Sequence, residues 1–417
     1  MNVTQLIIQR TKELIYSLCF KEASRKKPTD FTRDRKMPFE EVIIFMLNSF
    51  KCSTQSALRR FFTALSKPVF MQQQSFSEAR AKINVEAFIQ LFTLTVDVMR
   101  ANCRKTWHGY RLLAVDGSKI ALPADKKLLK HFGGTGRHAS SPTAQGSIAY
   151  DVLNDIVMDA LLVPLSTDER TLAKQHLENC KAMDPQEKKL FVYDRGYASF
   201  ELIDWHVQNG VQFVMRVREK FNVAIDAQTR SDGFVWLEQN GKRIRVRVIK
   251  FKLDSGETET LITQLTDKRM GTKAFKQLYF LRWPVETKYD LVKNKLQMEN
   301  FTSRTVEGIQ QDFYATLYLT NTVAATAYDA QAEIDEARKD KENQYDYQAN
   351  RNELISILKD RFILAVVQED PDKSAAMIQC IIDEVTRSVV PKRLGRSIPR
   401  NSSPRKSKFH HNRKVNC

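Results

Sequence analysis

No apolar stretch in this 417-residue chain approaches the length that crosses a bilayer; Val42 to Leu47 is about the longest, so no membrane-spanning helix is expected. The first ten residues lack the basic start and long apolar region of a secretory signal, which makes the cytoplasm the expected location. Cysteine is sparse. Cys19, Cys52, Cys103, Cys180, Cys380 and Cys417 lie far apart with no C-x-x-C pair, a pattern that suits reduced thiols rather than a zinc site or a disulfide frame. The seven histidines are scattered without zinc spacing. There is no G-x-S-x-G nucleophile motif and no internal repeat. The glycine-rich stretch from His131 to His138 matches neither a dinucleotide fingerprint nor a P-loop, leaving a connector or a mobile loop near a ligand. Acid is also short: 49 Asp and Glu face 66 Lys and Arg, a net charge of +17. A chain so basic is expected to meet a polyanion, with nucleic acid the default and an anionic membrane surface the competitor. With 42% hydrophobic and 10% aromatic residues it can bury a core, and its length allows two or three domains.

Residues 1–105 read as helical, with apolar residues at helical spacing in Val42 to Leu47 and in Phe88 to Leu94. Ser75 and Glu78 form a capping-box pattern that predicts a helix start there. Up to Arg100 this region carries 16 basic and 9 acidic residues, which favours a DNA-binding region over a merely solvated bundle. From about residue 106 strands appear. Arg111 to Gly117 is an apolar run ending in an acid and a glycine, and Lys189 to Gly196 is another. Residues 147–153 and 156–163 read as a hairpin around Asn154-Asp155. Thr167 to Cys180 and Phe200 to Val207 read as helices, the second stopped by Asn209-Gly210. Residues 220–265 show no convincing helix. They contain a hairpin turning at Asn240-Gly241, with Arg243, Arg245 and Arg247 on one strand face. That face could track a DNA backbone or simply protect a sheet edge. Helix returns from about 268 to 329. Residues 331–388 are helical and acidic, 8 basic against 13 acidic, and 389–417 form a basic tail with nine Lys or Arg and no acid, expected to be disordered.

The densest chemical signal lies at residues 279–293, where Tyr279, Arg282, Glu286 and Lys293 stand in the pattern Y-(2)-R-(3)-E-(6)-K. A carboxylate can hold a divalent cation, and the arginine and lysine can neutralise phosphate oxygens. On a continuous helix Glu286 and Lys293 would share a face. Pro284 argues instead for two helices or a kink, with Glu286 in the first turn of the second. Asp116 and Asp194 each end an apolar strand, where an acid has no packing role. If those strands are adjacent, parallel and level, the two carboxylates stand side by side, and such a pair calls for a cation. Phosphodiester cleavage with two metal ions needs such converging carboxylates.

In three segments, Leu112 to Ser118, Val192 to Tyr197 and Tyr279 to Lys293, the chain resembles the DDE transposases of bacterial insertion sequences, in the group marked by the Y-R-E-K motif. The resemblance covers roughly residues 30–325. It implies an α/β fold with a ribonuclease-H-like catalytic core at 106–330, carrying a β-rich insertion at about 218–267. Helical regions would flank that core: a DNA-binding region at 1–105 and a candidate dimerisation region at 331–388. It further implies Asp116, Asp194 and Glu286 as the catalytic metal-binding triad, holding Mg²⁺, with Mn²⁺ as substitute, as two ions. Tyr279, Arg282 and Lys293 would contact phosphates, with Arg243, Arg245 and Arg247 as further DNA contacts. Arg195 reads as structural. Trp236 could stack on an extruded base, although packing is the commoner role for such a residue. The implied activity is cleavage at terminal inverted repeats and transfer of 3′-hydroxyl ends into target DNA, by a homodimer in a bacterial cytoplasm, nucleoid-associated when bound. The rivals are another ribonuclease-H-like nuclease and an inactive transposase-derived DNA-binding protein; the intact acids speak against the latter.

Overall fold

The computed structural model describes the chain apart from residues 34, 49–50, 69, 254–255, 268, 283, 340–344 and 393–417, and apart from the side chains of Arg137, Pro284 and Glu286. Helices come first: α1 (Val3–Ile15), α2 (Leu18–Ser24), α3 (Phe39–Leu47), α4 (Thr54–Ala64), α5 (Gln73–Arg80) and α6 (Glu86–Asn102). Then follow β1 (Arg111–Ala121), α7 (Lys126–Phe132), β2 (Gly134–Thr135), β3 (Ser141–Asp151), β4 (Ile156–Pro164), α8 (Glu169–Met183) and β5 (Lys189–Tyr193). The chain continues through α9 (Phe200–Asn209), β6 (Gln212–Val217), α10 (Val223–Ala227), β7 (Asp232–Gln239), β8 (Lys242–Lys252), β9 (Thr258–Thr263), α11 (Thr272–Phe280) and α12 (Pro284–Asp290). A π-helical segment, Leu291–Lys295, precedes α13 (Val306–Ala337), β10 (Tyr347–Ala349), α14 (Arg351–Val367), α15 (Pro371–Arg387) and β11 (Val389–Pro391). Among the described residues no helix is long and apolar enough to cross a membrane.

The chain is mixed α/β and divides into two compact units. One comprises Met1–Asn102, Ala121–Pro142 and the described chain from Leu291 onward; the other comprises Cys103–Ile120 and Thr143–Asp290. The first unit is a helical assembly centred on α13, which packs against α1, α6, α14 and α15. This helix buries Thr316, Thr320, Thr322 and Thr326. It can do so because each hydroxyl donates to the carbonyl four residues back, so none of these four hydroxyls is left unpaired. Arg80 of α5 is also buried there, and its guanidinium donates to Asp312 at 3.0 Å, Thr302 at 2.7 Å, Gln311 at 3.1 Å and the carbonyl of Gly308 at 2.9 Å. A charge is tolerated inside because a carboxylate and three further acceptors meet it.

The second unit is a mixed sheet in the order β4-β3-β1-β5-β6-β9-β8-β7. β1, β5 and β6 run parallel, while β4 on β3 and the run β6-β9-β8-β7 are antiparallel. Parallel strands need helical crossovers; α8, capped by Asp168, and α9, capped by Ser199, supply them around β5. α9 ends on Gly210 at φ 65°, the left-handed position that favours glycine. The hairpin β7-β8 turns through Asn240 and Gly241, both at positive φ, as a two-residue turn between twisted strands requires. β5 is buried on both faces: Leu190 and Val192 join a cluster with Leu112, Val214, Phe275 and Tyr279, while Phe191 and Tyr193 meet His206 of α9.

Several expectations need correction. α5 begins at Gln73 behind Gln72, so Ser75 lies within the helix and caps nothing. A short helix, α10, stands inside the stretch read as helix-free, and β9 adds a strand to the expected hairpin. Val389–Pro391, assigned to the disordered tail, pairs with Tyr347–Ala349; the tail beyond Lys392 lies outside the described residues. Reduced thiols stand at Cys19, Cys103, Cys180 and Cys380, as expected, and Cys417 lies outside the described residues.

Removing Asp312 leaves Arg80 charged and unmatched in a closed interior. Asp312→Ala is expected to cost about 3–5 kcal/mol, read as a lowered midpoint in urea unfolding followed by circular dichroism. A midpoint equal to wild type contradicts this account of the helical unit.

Candidate active site

The register of β1 on β5 sets the position of two acids. Arg111 pairs with Lys189 and Ala114 with Val192, a constant offset of 78 residues. Asp194 lies 78 residues beyond Asp116, so the two occupy level positions where the ladder ends. Neighbouring strands lie roughly 4.8 Å apart. Alternation along β1 also puts Asp116 on the face of Leu112, which packs with α11. Continuing the alternation of β5 puts Asp194 on that same face, with Leu190 and Val192. Each carboxylate accepts the next backbone N–H, Gly117 at 3.0 Å and Arg195 at 2.7 Å, which fixes its orientation locally.

The third acid arrives on α12. Pro284 opens that helix and α11 ends at Phe280, so the two-helix reading of the motif is what forms, with Glu286 in the first turn of α12. Two side chains of α12 tie it to the sheet. Tyr289 donates to the carbonyl of Asp116 at 2.9 Å, and buried Lys288 donates to Asp155 in the β3–β4 turn at 2.8 Å. Burial pushes the Tyr289 hydroxyl well above its usual range, and the charge of Asp116 adds to this, so it is a donor at neutral pH. Behind Asp116 stands a buried relay: Asp159 accepts from His176 at 2.6 Å, and the other His176 nitrogen lies 2.9 Å from Ser147 Oγ. Ser147 is itself 3.4 Å from the Asp116 carbonyl. This resembles a nucleophile arrangement in residue types only, because Ser147 and His176 are 1% and 0% exposed and no substrate reaches them.

Around Asp194 the setting is cationic and aromatic. Arg216 lies 4.0 Å away and is also paired with Glu259. Tyr279 is buried, and its hydroxyl has no hydrogen-bond partner; burial raises it, Arg282 opposes that, and Asp194 reinforces it. Arg282 is buried with its guanidinium 5.8 Å from the Tyr279 ring centre. Tyr193, just before Asp194, is held by His206. Val211 O can only accept, at 3.0 Å from Nδ1, so Nδ1 carries the proton and Nε2 accepts from the Tyr193 hydroxyl at 2.9 Å.

The remaining expected site residues separate. Glu286 and Lys293 do not lie on one uninterrupted α-helix, because the chain turns π-helical at Leu291. Lys293 pairs with Glu299 at 3.5 Å in the helical unit. Arg243, Arg245 and Arg247 do share a face, as the β7–β8 register requires. Arg243 and Arg245 are exposed and lie over the rings of Trp236 and Phe234, at 4.6 and 4.3 Å. Arg247 is buried, spends its donors on Asp232 and on the carbonyls of Leu265, Asp267 and Met270, and therefore serves the fold rather than DNA. Trp236 is 46% exposed, so the packing role expected of it does not hold. Arg195 is also exposed, and its backbone N–H holds the Asp194 carboxylate.

The transposase DDE domain family matches residues 107–322. The chain belongs to that family. No curated protein matches it. A solved piggyBac transposase, in a synaptic complex with hairpin DNA, is similar over 90% of this chain and 81% of its own, at 8% identity and a TM-score of 0.48; a likeness at that level carries no argument. Members of the DDE family use divalent metal ions. Among the described residues no three acids, histidines or cysteines are grouped closely enough to hold one. The level pair of hard carboxylates and the orphaned Tyr279 hydroxyl do fit such an ion. Sequence reasoning missed Arg216, Glu259, Tyr289 and the His176 relay, since each acts from an element whose packing no motif announces.

His206 gives a pH test. Burial lowers it from 6.5 to about 4, so an unfolded chain takes up this proton first as the pH falls. The stability it supports is complete above pH 6.5 and is lost as pH falls through about 4, approaching roughly 3 kcal/mol. His206→Gln can keep both hydrogen bonds and does not titrate. Denaturant midpoints of wild type and variant are expected to diverge between pH 6.5 and 4.5; parallel curves contradict the assignment.

Proposed function

We propose that this DDE-family protein is a transposase that cleaves DNA at the terminal inverted repeats of its element and transfers the 3′-hydroxyl ends into target DNA. The observation that carries the reading is the register of β1 on β5, which, continued two residues past its last pair, sets Asp116 within β1 level with Asp194 just beyond β5, on one sheet face. Asp116, Asp194 and Glu286 are proposed as the ligands of Mg²⁺ or Mn²⁺, as two ions, within a ribonuclease-H-like core. When bound, the ions supply charge stabilisation for the attacking and leaving oxygens of an in-line displacement. The chain's own residues do the positioning. Tyr289 and Lys288 seat the helix that carries Glu286, and Arg216 stands beside Asp194.

The Tyr279 hydroxyl and Arg282 are proposed as phosphate contacts on the Asp194 side, supported by that hydroxyl's lack of a partner. Lys293 is proposed as a further phosphate contact. Arg243 and Arg245, stacked over exposed aromatic rings, are proposed to meet DNA from the strands at 218–267, which would be an insertion in the core, with Trp236 available to stack on a base. Helical residues 1–105 would bind DNA, and 331–388 would hold a homodimer together.

The decisive assay is cleavage of DNA carrying the element's own ends. Alanine at Asp116, Asp194 or Glu286 is expected to lower Mg²⁺-dependent cleavage by at least 100-fold with DNA binding retained. Intact cleavage in any of the three sinks the triad. A second measurement separates the arginines: the double variant Arg243→Ala/Arg245→Ala should reduce the salt dependence of DNA binding by about two phosphate contacts. Arg247→Ala should instead lower the unfolding midpoint.

A further inference from the structure

Phe70, between α4 and α5 in the helical unit, is 68% exposed, yet the backbone that carries it is braced from two sides. Lys36 donates to the Phe70 carbonyl at 3.1 Å. Gln55 of α4 donates to the Met71 carbonyl at 2.8 Å and accepts from the Gln73 N–H at 3.0 Å. A lone exposed phenylalanine needs no explanation, but this one lines two hollows at once. The larger, of about 760 Å³, is lined by Arg33, Arg35, Lys36 and Lys82 against one acid, Glu78. Its wall includes Phe31 at φ 57°, a backbone position that a bulky residue rarely takes, held edge-on to Phe39 at 5.4 Å. The smaller, of about 250 Å³, is lined by Arg59 and by Lys67, which is paired with Glu41. Arg33, Arg35, Arg59 and Lys82 are exposed, and among the described residues none of them has an acidic partner.

We propose that the two hollows and the ring between them hold a single strand of DNA, with its phosphates on the unpaired cations and one base on the face of Phe70. The proposal rests on the reading of this protein as DNA-binding and deepens it, naming the form of DNA and the residues that meet it. A cationic groove that follows a backbone, combined with an aromatic ring that stacks on any base, is what unpaired nucleic acid requires. Neither feature decides alone, since the cations suit any polyanion and the ring any apolar group. Together they decide the form. In a duplex the base faces are stacked on one another, and none is free to cover the ring. Hollows of a few hundred cubic ångströms enclose groups of nucleotide size. The arginines suit phosphate because their planar fork meets two of its oxygens. Phe70 has no hydrogen-bonding group, so this contact carries no base preference.

The test is binding of the full-length protein to a fluorescein-labelled oligothymidylate, and to a duplex of unrelated sequence, followed by anisotropy across a salt series. Phe70→Ala is expected to weaken oligothymidylate binding about 10-fold at unchanged salt slope, and duplex binding by less than about 2-fold. Phe70→Trp should keep the wild-type affinity for the strand. The triple variant Arg33→Ala/Arg35→Ala/Arg59→Ala should lower the salt slope on the strand by about 2, at roughly 0.7 per phosphate contact. These side chains are exposed, so every variant should keep the wild-type thermal midpoint, which separates a lost contact from a lost fold. If wild type binds the strand and the variants match it in affinity and slope, the single-strand site is refuted while DNA binding by the protein stands. An equal loss by Phe70→Ala on strand and duplex refutes it too. If wild type binds neither DNA, the DNA-binding reading falls and the site with it.

Discussion

Parallel pairing of β1 with β5 leaves no freedom in where the two acids end up. The side-chain period of a strand is two, so a slip of one residue would send one carboxylate to the opposite face and separate the pair. The register is held by what lies behind it. Arg111, at the start of β1, is ion-paired with Asp151 and Glu187. Phe191 and Tyr193 lock into α9 through His206. The acids stand level because the apolar residues two and four positions earlier, Ala114 and Leu112 in β1 and Val192 and Leu190 in β5, are buried on the same sheet face.

That arrangement carries a cost the rest of the unit must offset. Two like charges at the end of a hydrophobic sheet repel, and repulsion alone would favour fraying there. Arg216 meets Asp194 from β6, Tyr289 grips the Asp116 backbone from α12, and both carboxylates are tied to their own turns. The site is therefore rigid in its backbone while its charge remains available, as electrostatic preorganisation requires.

Much of this was legible in the chain. The two apolar runs ending in Asp116 and Asp194 read as strands, and Pro284 announced the break between α11 and α12. The Asn240-Gly241 turn fixed which arginines share a face. What stayed hidden was set by tertiary context. Arg243, Arg245 and Arg247 look equivalent in a period-two pattern, yet only Arg247 lies over α11, where Asp232 and three carbonyls claim it. The π-helical turn at Leu291 has no proline or glycine to mark it. Glu169 reads as an ordinary acid in the first turn of a helix, because its contact with Gly117 and Gln145 depends on residues in two separate strands.

The charge distribution joins the site to the whole molecule. A net charge of +17 attracts a polyanion to the molecule as a whole, but Asp116 and Asp194 would repel a phosphate brought to them. On the proposed reading a bound cation would reverse the local sign, and the carboxylates that oppose the backbone would hold the ion that meets it. An acidic centre in a basic protein would then make engagement of the scissile phosphate conditional on the metal, while binding elsewhere along the DNA would stay metal-independent.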